Sequence, residues 1–326
     1  MRLNPHQYRR VVFLAGVSLA VIVATGAAVR LTEAGLGCET WPACSEDRIV
    51  PELALHPWIE FGNRLLSGVV AVAVISAALL AYRRVPRRND LVIWAWGLVA
   101  GVAGQIVLGG ITVRVDLHPL FVGAHFLLSM VLLWNAVVLF VKASNGPSRP
   151  VPAVDRRTIL LGRLVMALAI VVLTVGTLVT GTGPHSGDSR ADRLDIDLVA
   201  ITRVHAILVW LLVAATVVLA LKLYRSPGPA QSATRWLLLA MVIQGLIGYI
   251  QYGTGVPAGL VEAHIIGATI VWSAVVYVVL ALYQRAPLEA ASDSDTWQPR
   301  ARSGTSGPET GAKEVIAGSD LARMDP

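Results

Sequence analysis

Long apolar runs separated by short charged breaks dominate the chain, at approximately 11–30, 60–82, 91–112, 119–141, 158–181, 199–223, 235–252 and 259–283. Crossing a bilayer as a helix takes about 20 consecutive apolar residues. Hydrocarbon offers no water to satisfy exposed backbone groups, so each run is expected to be a transmembrane α-helix. The first run has basic residues ahead of it and small residues behind it, as a signal peptide does. It has a counterpart in the second half of the chain, however, which makes it a span. The expected fold class is an all-α integral membrane protein of eight transmembrane helices.

Composition agrees with that pattern: 55% of residues are hydrophobic and 15% charged, with a mean hydropathy of +0.64. A net charge of +6 invites a nucleic-acid reading, which the positions of the charges oppose. With the N-terminus in the cytoplasm, 20 of the 27 basic residues fall in inner segments. That bias is the positive-inside signature. It predicts a multi-pass protein of the cell membrane with both termini cytoplasmic, and with membrane lipid rather than nucleic acid as the partner of its basic face. The outer loops, at about 31–58, 113–118, 182–198 and 253–258, carry Glu33, Glu39, Glu46, Asp47, Asp188, Asp192, Asp195 and Asp197. Residues 285–326, rich in Ser, Gly, Ala, Pro and charge, read as a disordered cytoplasmic tail.

The two halves echo each other. Gln105-Ile-Val-Leu-Gly-Gly precedes His125 by twenty residues, and Gln244-Gly-Leu-Ile-Gly-Tyr precedes His264 by twenty. The first span ends Gly26-Ala-Ala-Val-Arg-Leu-Thr and the fifth ends Gly176-Thr-Leu-Val-Thr-Gly-Thr. Four spans per half give both halves the same orientation, a parallel internal repeat. The expected organisation is two tandem four-helix bundles, 1–142 and 158–284, joined by a cytoplasmic linker at 143–157.

Of seven histidines, His125, His205 and His264 lie in the first two turns of helices that enter from the outside. In an up-down bundle alternate helices stand on a diagonal and run parallel. His205 and His264 are therefore expected to face each other at matched depth near the outer face, as two axial imidazoles do around a haem iron. The bland alternative is a set of interfacial histidines bonded to backbone. The first half supplies His125 on its fourth span but Asn63, not histidine, on its second.

These residues resemble the haem A synthase family, over approximately residues 10–284. The resemblance rests on Gly35-Leu-Gly-Cys38-Glu-Thr-Trp-Pro-Ala-Cys44, on Glu60 and Arg64, on Gly183-Pro-His185-Ser-Gly-Asp188, and on His125, His205 and His264. It implies a haem b cofactor ligated by His205 and His264 in the second half. Haem O would be the substrate in the first half, near His125, with Asn63 and Arg64 beside it. The implied reaction oxidises one ring methyl of haem O to a formyl group by successive hydroxylations, with water as the oxygen source. Implied partners are a haem O synthase, the cytochrome c oxidase assembly factors and an electron acceptor that the residues do not identify.

The family has Glu, two residues, then His where this chain has Glu60 and Asn63, and an amide is a poor iron ligand. His118, seven residues before His125, and His56 are the candidates to replace it, although Pro119 beside His118 favours a cap. Glu60 is the candidate catalytic carboxylate, as proton acceptor or water-positioning group; the alternative is a first-turn acid favoured by the helix dipole. Glu262 falls on a different face from His264 and is set aside. Arg64 and Arg203 are candidates for haem propionates, or for snorkelling at the interface. Cys38 and Cys44 face the oxidising side in this topology and are expected to form a disulfide, either structural or redox-active, rather than a metal site. Two rivals remain: a non-catalytic di-haem cytochrome b electron carrier, which needs a second intact histidine pair, and a transporter, which needs broken helices at mid-membrane.

Overall fold

The computed structural model describes residues 2–285, apart from 39, 48, 148, 186, 189 and 190. It contains eight long helices: α1 Pro5–Leu31, α2 Leu55–Ala81, α3 Asn89–Arg114, α4 Pro119–Ala143, α5 Arg156–Thr182, α6 Leu198–Leu223, α7 Pro229–Gly253 and α8 Ala258–Ala281. All eight are long and apolar enough to span a bilayer, so the protein is a multi-pass membrane protein. The expected disordered tail lies, but for Arg285, outside the described residues.

Most helices begin before the apolar stretch that predicts them, and at α1, α5 and α6 polar side chains cap first-turn amides. Asn4 and Gln7 form a reciprocal capping box at the start of α1, with bonds of 2.8 and 3.0 Å. Arg9 and Arg10 thus belong to a helix. Asp155 caps α5 through the amides of Arg157 and Thr158, and Asp197 caps α6 through that of Ala200 at 2.6 Å. The Thr158 hydroxyl and amide hold the exposed Asp155 carboxyl below its ordinary pKa. The linker adds one element that a purely helical reading lacks: β1 Val151–Pro152 pairs antiparallel with β2 Tyr283–Gln284.

Helices α1 to α4 close one ring, each touching its chain neighbours, with α1 also against α4. Helices α5 to α8 close a second ring in the same way, and along the seam between them α4 packs on α5 and α8, and α1 on α8. The described residues all fall within one compact unit. At the seam, the buried Trp272 of α8 donates its indole N–H to the Met130 carbonyl of α4 at 2.7 Å.

Where α1 begins, Leu3 exchanges backbone bonds of 2.9 Å with Arg83 and Val85. Arg88 donates to the Lys142 and Asn145 carbonyls and pairs with Asp90. The outward surface is apolar, with Leu14, Val72, Ile93, Ile207 and Leu221 all exposed, as a lipid-facing wall requires.

Lipid tails are as apolar as leucine, so helices in a bilayer associate by close packing over small residues. A β-carbon on Gly101 of α3 meets the buried Leu132 of α4, whereas one on Gly68 of α2 meets nothing within 4 Å. Gly101→Leu should therefore cost about 1–3 kcal/mol of overpacking and lower the thermal unfolding midpoint in detergent. Gly68→Leu should not lower it. Equal midpoints for the two variants would refute this packing account.

Candidate functional site

Three histidines share one local device. A β-carbon on Gly109 of α3 would stand 3.2 Å from Cε1 of His125; on Gly176 of α5, 3.2 Å from Cε1 of His205; on Gly248 of α7, 3.1 Å from Cε1 of His264. Each imidazole edge thus lies on a helix backbone that only glycine leaves bare. The fourth station in this pattern pairs Gly26 of α1 with Asn63 of α2, where the amide nitrogen stands 3.9 Å from the same construction. Asn63 takes the corresponding position in this pattern, and its Oδ1 accepts from the Thr25 hydroxyl at 2.8 Å.

The glutamines seen as repeats in sequence anchor two of these helices. Gln105 Nε2 donates to the His125 carbonyl at 3.1 Å, and Gln244 Nε2 to the His264 carbonyl at 2.8 Å. The glycines sit sixteen residues before His125 and His264, a spacing visible in sequence but not read there as a ring cradle.

The three rings are half-buried, and the Nδ1 of each is fully buried without a hydrogen-bond partner. The Val172 carbonyl lies near the His205 ring but outside hydrogen-bonding geometry. With Cε1 on glycine and Nδ1 enclosed, the accessible edge of each ring is the one that carries Nε2. An exposed Nε2 is the atom that ligates haem iron, so these residues fit the group. Helices α6 and α8, which carry His205 and His264, stand on a diagonal of their ring. In the other ring the diagonal joins Asn63 of α2 to His125 of α4. Among the described residues no three His, Cys, Asp or Glu converge as a free metal ion would need.

Over the first ring lies the loop closed by the Cys38–Cys44 disulfide. Glu60, only 6% exposed, accepts from the Cys38 amide at 2.8 Å and from two nitrogens of Arg64. Arg64 Nη1 donates to the carbonyls of Thr40, Pro42 and Ala43 at 3.0, 3.3 and 3.1 Å. Trp41 rests on α3, where a β-carbon on Gly110 would come within 2.9 Å of its indole. The structure therefore spends Arg64 and both Glu60 oxygens on holding this loop, a role that sequence spacing did not reveal. Arg203, by contrast, is exposed and makes no hydrogen bond or ion pair among the described residues.

The remaining candidates are placed elsewhere. His118 is the cap of α4, accepting from the Leu120 amide at 3.4 Å, with its ring edge-on to Phe121. His56 is exposed in the first turn of α2. His185 Nε2 bonds the Val256 carbonyl at 2.9 Å, and its own carbonyl accepts from Arg30 at 2.7 Å. Glu262 keeps one buried oxygen without a partner.

A family model described as cytochrome oxidase assembly protein (COX15-CtaA) matches residues 9–57 and 50–184, more than half of the chain. The chain belongs to this family. Among curated proteins it resembles the haem A synthase of Geobacillus kaustophilus (strain HTA426), 32% identical over 137 residues, which is 41% of this chain and 42% of that protein. The haem A synthase of Geobacillus thermodenitrificans is 30% identical over 137 residues, 42% of this chain and 43% of that one. That of Bacillus cereus (strain G9842) is 30% identical over 139 residues, 40% and 44% respectively. The chain thus spans less than half the length of the curated relatives it matches.

Hydrogen bonds to a charged group are worth about 1.5–3 kcal/mol each, and Arg64 supplies several to the disulfide loop. Arg64→Ala should speed reduction of Cys38–Cys44 by a soluble phosphine at least about tenfold, read as alkylation of the freed thiols. An unchanged rate would mean that the loop is held without Arg64.

Proposed function

We propose that this protein is a haem A synthase: it takes haem O as substrate in the α1–α4 ring, beside His125, and holds haem b between His205 and His264. The observation that carries this reading is the set of four glycine-backed stations, three filled by imidazole and one by Asn63. An electron carrier needs both pairs complete. An enzyme gains from a face that one residue leaves without an iron ligand.

The proposed chemistry balances without molecular oxygen. A ring methyl and one water give a hydroxymethyl group with two protons and two electrons released. A second water gives the gem-diol, again releasing two of each, and loss of water leaves the formyl group. Four electrons must pass to an acceptor of the membrane. Haem b, when bound, supplies one-electron redox chemistry on that route.

The protein's own residues do the rest. His125 orients the substrate through Nε2. Asn63, its oxygen occupied by Thr25, presents an amide N–H to a water or to the ring. Glu60, close under the disulfide loop, takes up protons by exchanging its Arg64 contacts. Arg203, free at the outset of α6, pairs with a propionate. In this reading both termini face the cytoplasm and the haem sites lie near the outer face, which the arginine distribution supports. The haem O producer and the oxidase assembly machinery are the proposed partners.

Haems extracted from a haem-O-producing host, with and without this protein, provide the test. Haem A or its hydroxymethyl precursor should appear only with the protein. Haem O left unchanged beside well-folded protein carrying haem b would favour the electron carrier instead. Glu60→Gln, which keeps the carboxylate's shape without its charge, should retain bound haem b and yield no haem A; normal yield would return Glu60 to a purely structural role. His205→Ala and His264→Ala should each remove the low-spin haem b spectrum from the purified protein, and an unaltered spectrum in both would overturn the ligand assignment.

A further inference from the structure

The geometry points to a binding site for the phosphodiester headgroup of an anionic phospholipid, built by Arg9, Arg10, Phe13 and Phe140. These four residues line a hollow of about 340 Å³ where α1 starts and α4 ends, well away from the histidine stations. Arg9 is half-buried and Arg10 exposed. Neither has an ion pair or side-chain hydrogen bond among the described residues. Three other cations at this end of the protein are engaged: Arg88 and Lys142 share Asp90, and Arg84 donates to the Pro86 carbonyl. Helices α1 and α4 contain no acidic residue at all, so the two guanidiniums at the hollow are uncompensated.

The aromatic half of the site says what kind of anion fits. Phe13 is four residues beyond Arg9 and three beyond Arg10, which puts it one turn further along the same helix surface. Its ring meets that of Phe140 at 5.8 Å, tilted by 52°, and it is 54% exposed. The hollow is therefore graded along the helix axis, cationic toward the helix end and aromatic toward the middle of the bilayer. A phospholipid carries the same gradient, phosphate outermost and acyl chain within. A free phosphate would use only the arginines and leave the ring surface bare. Because the hollow opens on the lipid-facing wall, the bilayer itself supplies the occupant.

A basic side chain near the surface favours anionic lipid by about 1 kcal/mol, or about fivefold in affinity, which makes about thirtyfold for two. The test uses the full chain, purified and delipidated in detergent, with native mass spectrometry to count bound lipid. Phosphatidylglycerol should bind about thirtyfold more tightly than phosphatidylcholine of identical chains. The double variant Arg9→Gln/Arg10→Gln should lose that preference. Arg83→Gln, which removes an exposed charge from the same end, should keep it, and inorganic phosphate at millimolar level should not displace the lipid.

Equal binding of the two lipids to the unaltered protein would overturn the proposal without recourse to any variant. So would a loss in Arg83→Gln equal to that in the double variant, which would reveal only general attraction to a basic surface. Displacement by inorganic phosphate would overturn it in favour of a free-anion site.

Discussion

The contact on which this arrangement depends is the seating of an imidazole edge on bare helix backbone. Where a β-carbon would come within 3.1–3.2 Å of the ring, only glycine allows the two helices to approach so closely, and the approach fixes which way the ring points. One nitrogen is enclosed and the other is left accessible. The same contact pairs α3 with α4, α5 with α6 and α7 with α8. Orientation of the three imidazoles therefore comes from helix packing, with little help from hydrogen bonds to the rings. The hydrocarbon makes this economical, since packing over small residues is also what holds helices together there.

Asn63 shows how one substitution changes the character of a repeated site. It stands opposite Gly26, as His205 stands opposite Gly176, and it is tied to Thr25. An imidazole pair in one ring and an imidazole with an amide in the other are chemically different invitations. The disulfide loop deepens the difference, because it lies over the asymmetric ring, gripped by Arg64 and Glu60 from below and by Trp41 packed on α3. The carboxylate proposed for proton transfer is thus also a structural tie, and its two roles compete for the same oxygens.

Most of the architecture was legible in sequence because hydrocarbon tolerates so few alternatives. Eight apolar runs led to eight helices. Their ends were underestimated, since Asn4, Asp155 and Asp197 are polar and lie beyond the apolar stretch they cap. The grip of Arg64 was not legible: it depends on the chain folding back so that carbonyls more than twenty residues earlier meet a guanidinium, and no local pattern encodes that return. The glycine cradles lay between these cases, since their sixteen-residue spacing to His125 and His264 was present but glycine in a membrane helix has many uses.

The seam between the rings ties the two kinds of site together. Helix α4 carries His125 and packs against both α5 and α8, and Trp272 of α8 is bonded to its Met130 carbonyl. At the disulfide end, the His185 carbonyl takes Arg30 of α1, while its ring takes the carbonyl of Val256 beyond α7. Val256 is a β-branched residue at φ +61°, a conformation that must be held by its surroundings, and its amide is fixed to Gln251 at 2.8 Å. Loops and helices from both rings therefore restrain one another at two depths. A seam tied at both depths restrains movement of one ring against the other, the movement that opening and closing a transport path between them would need.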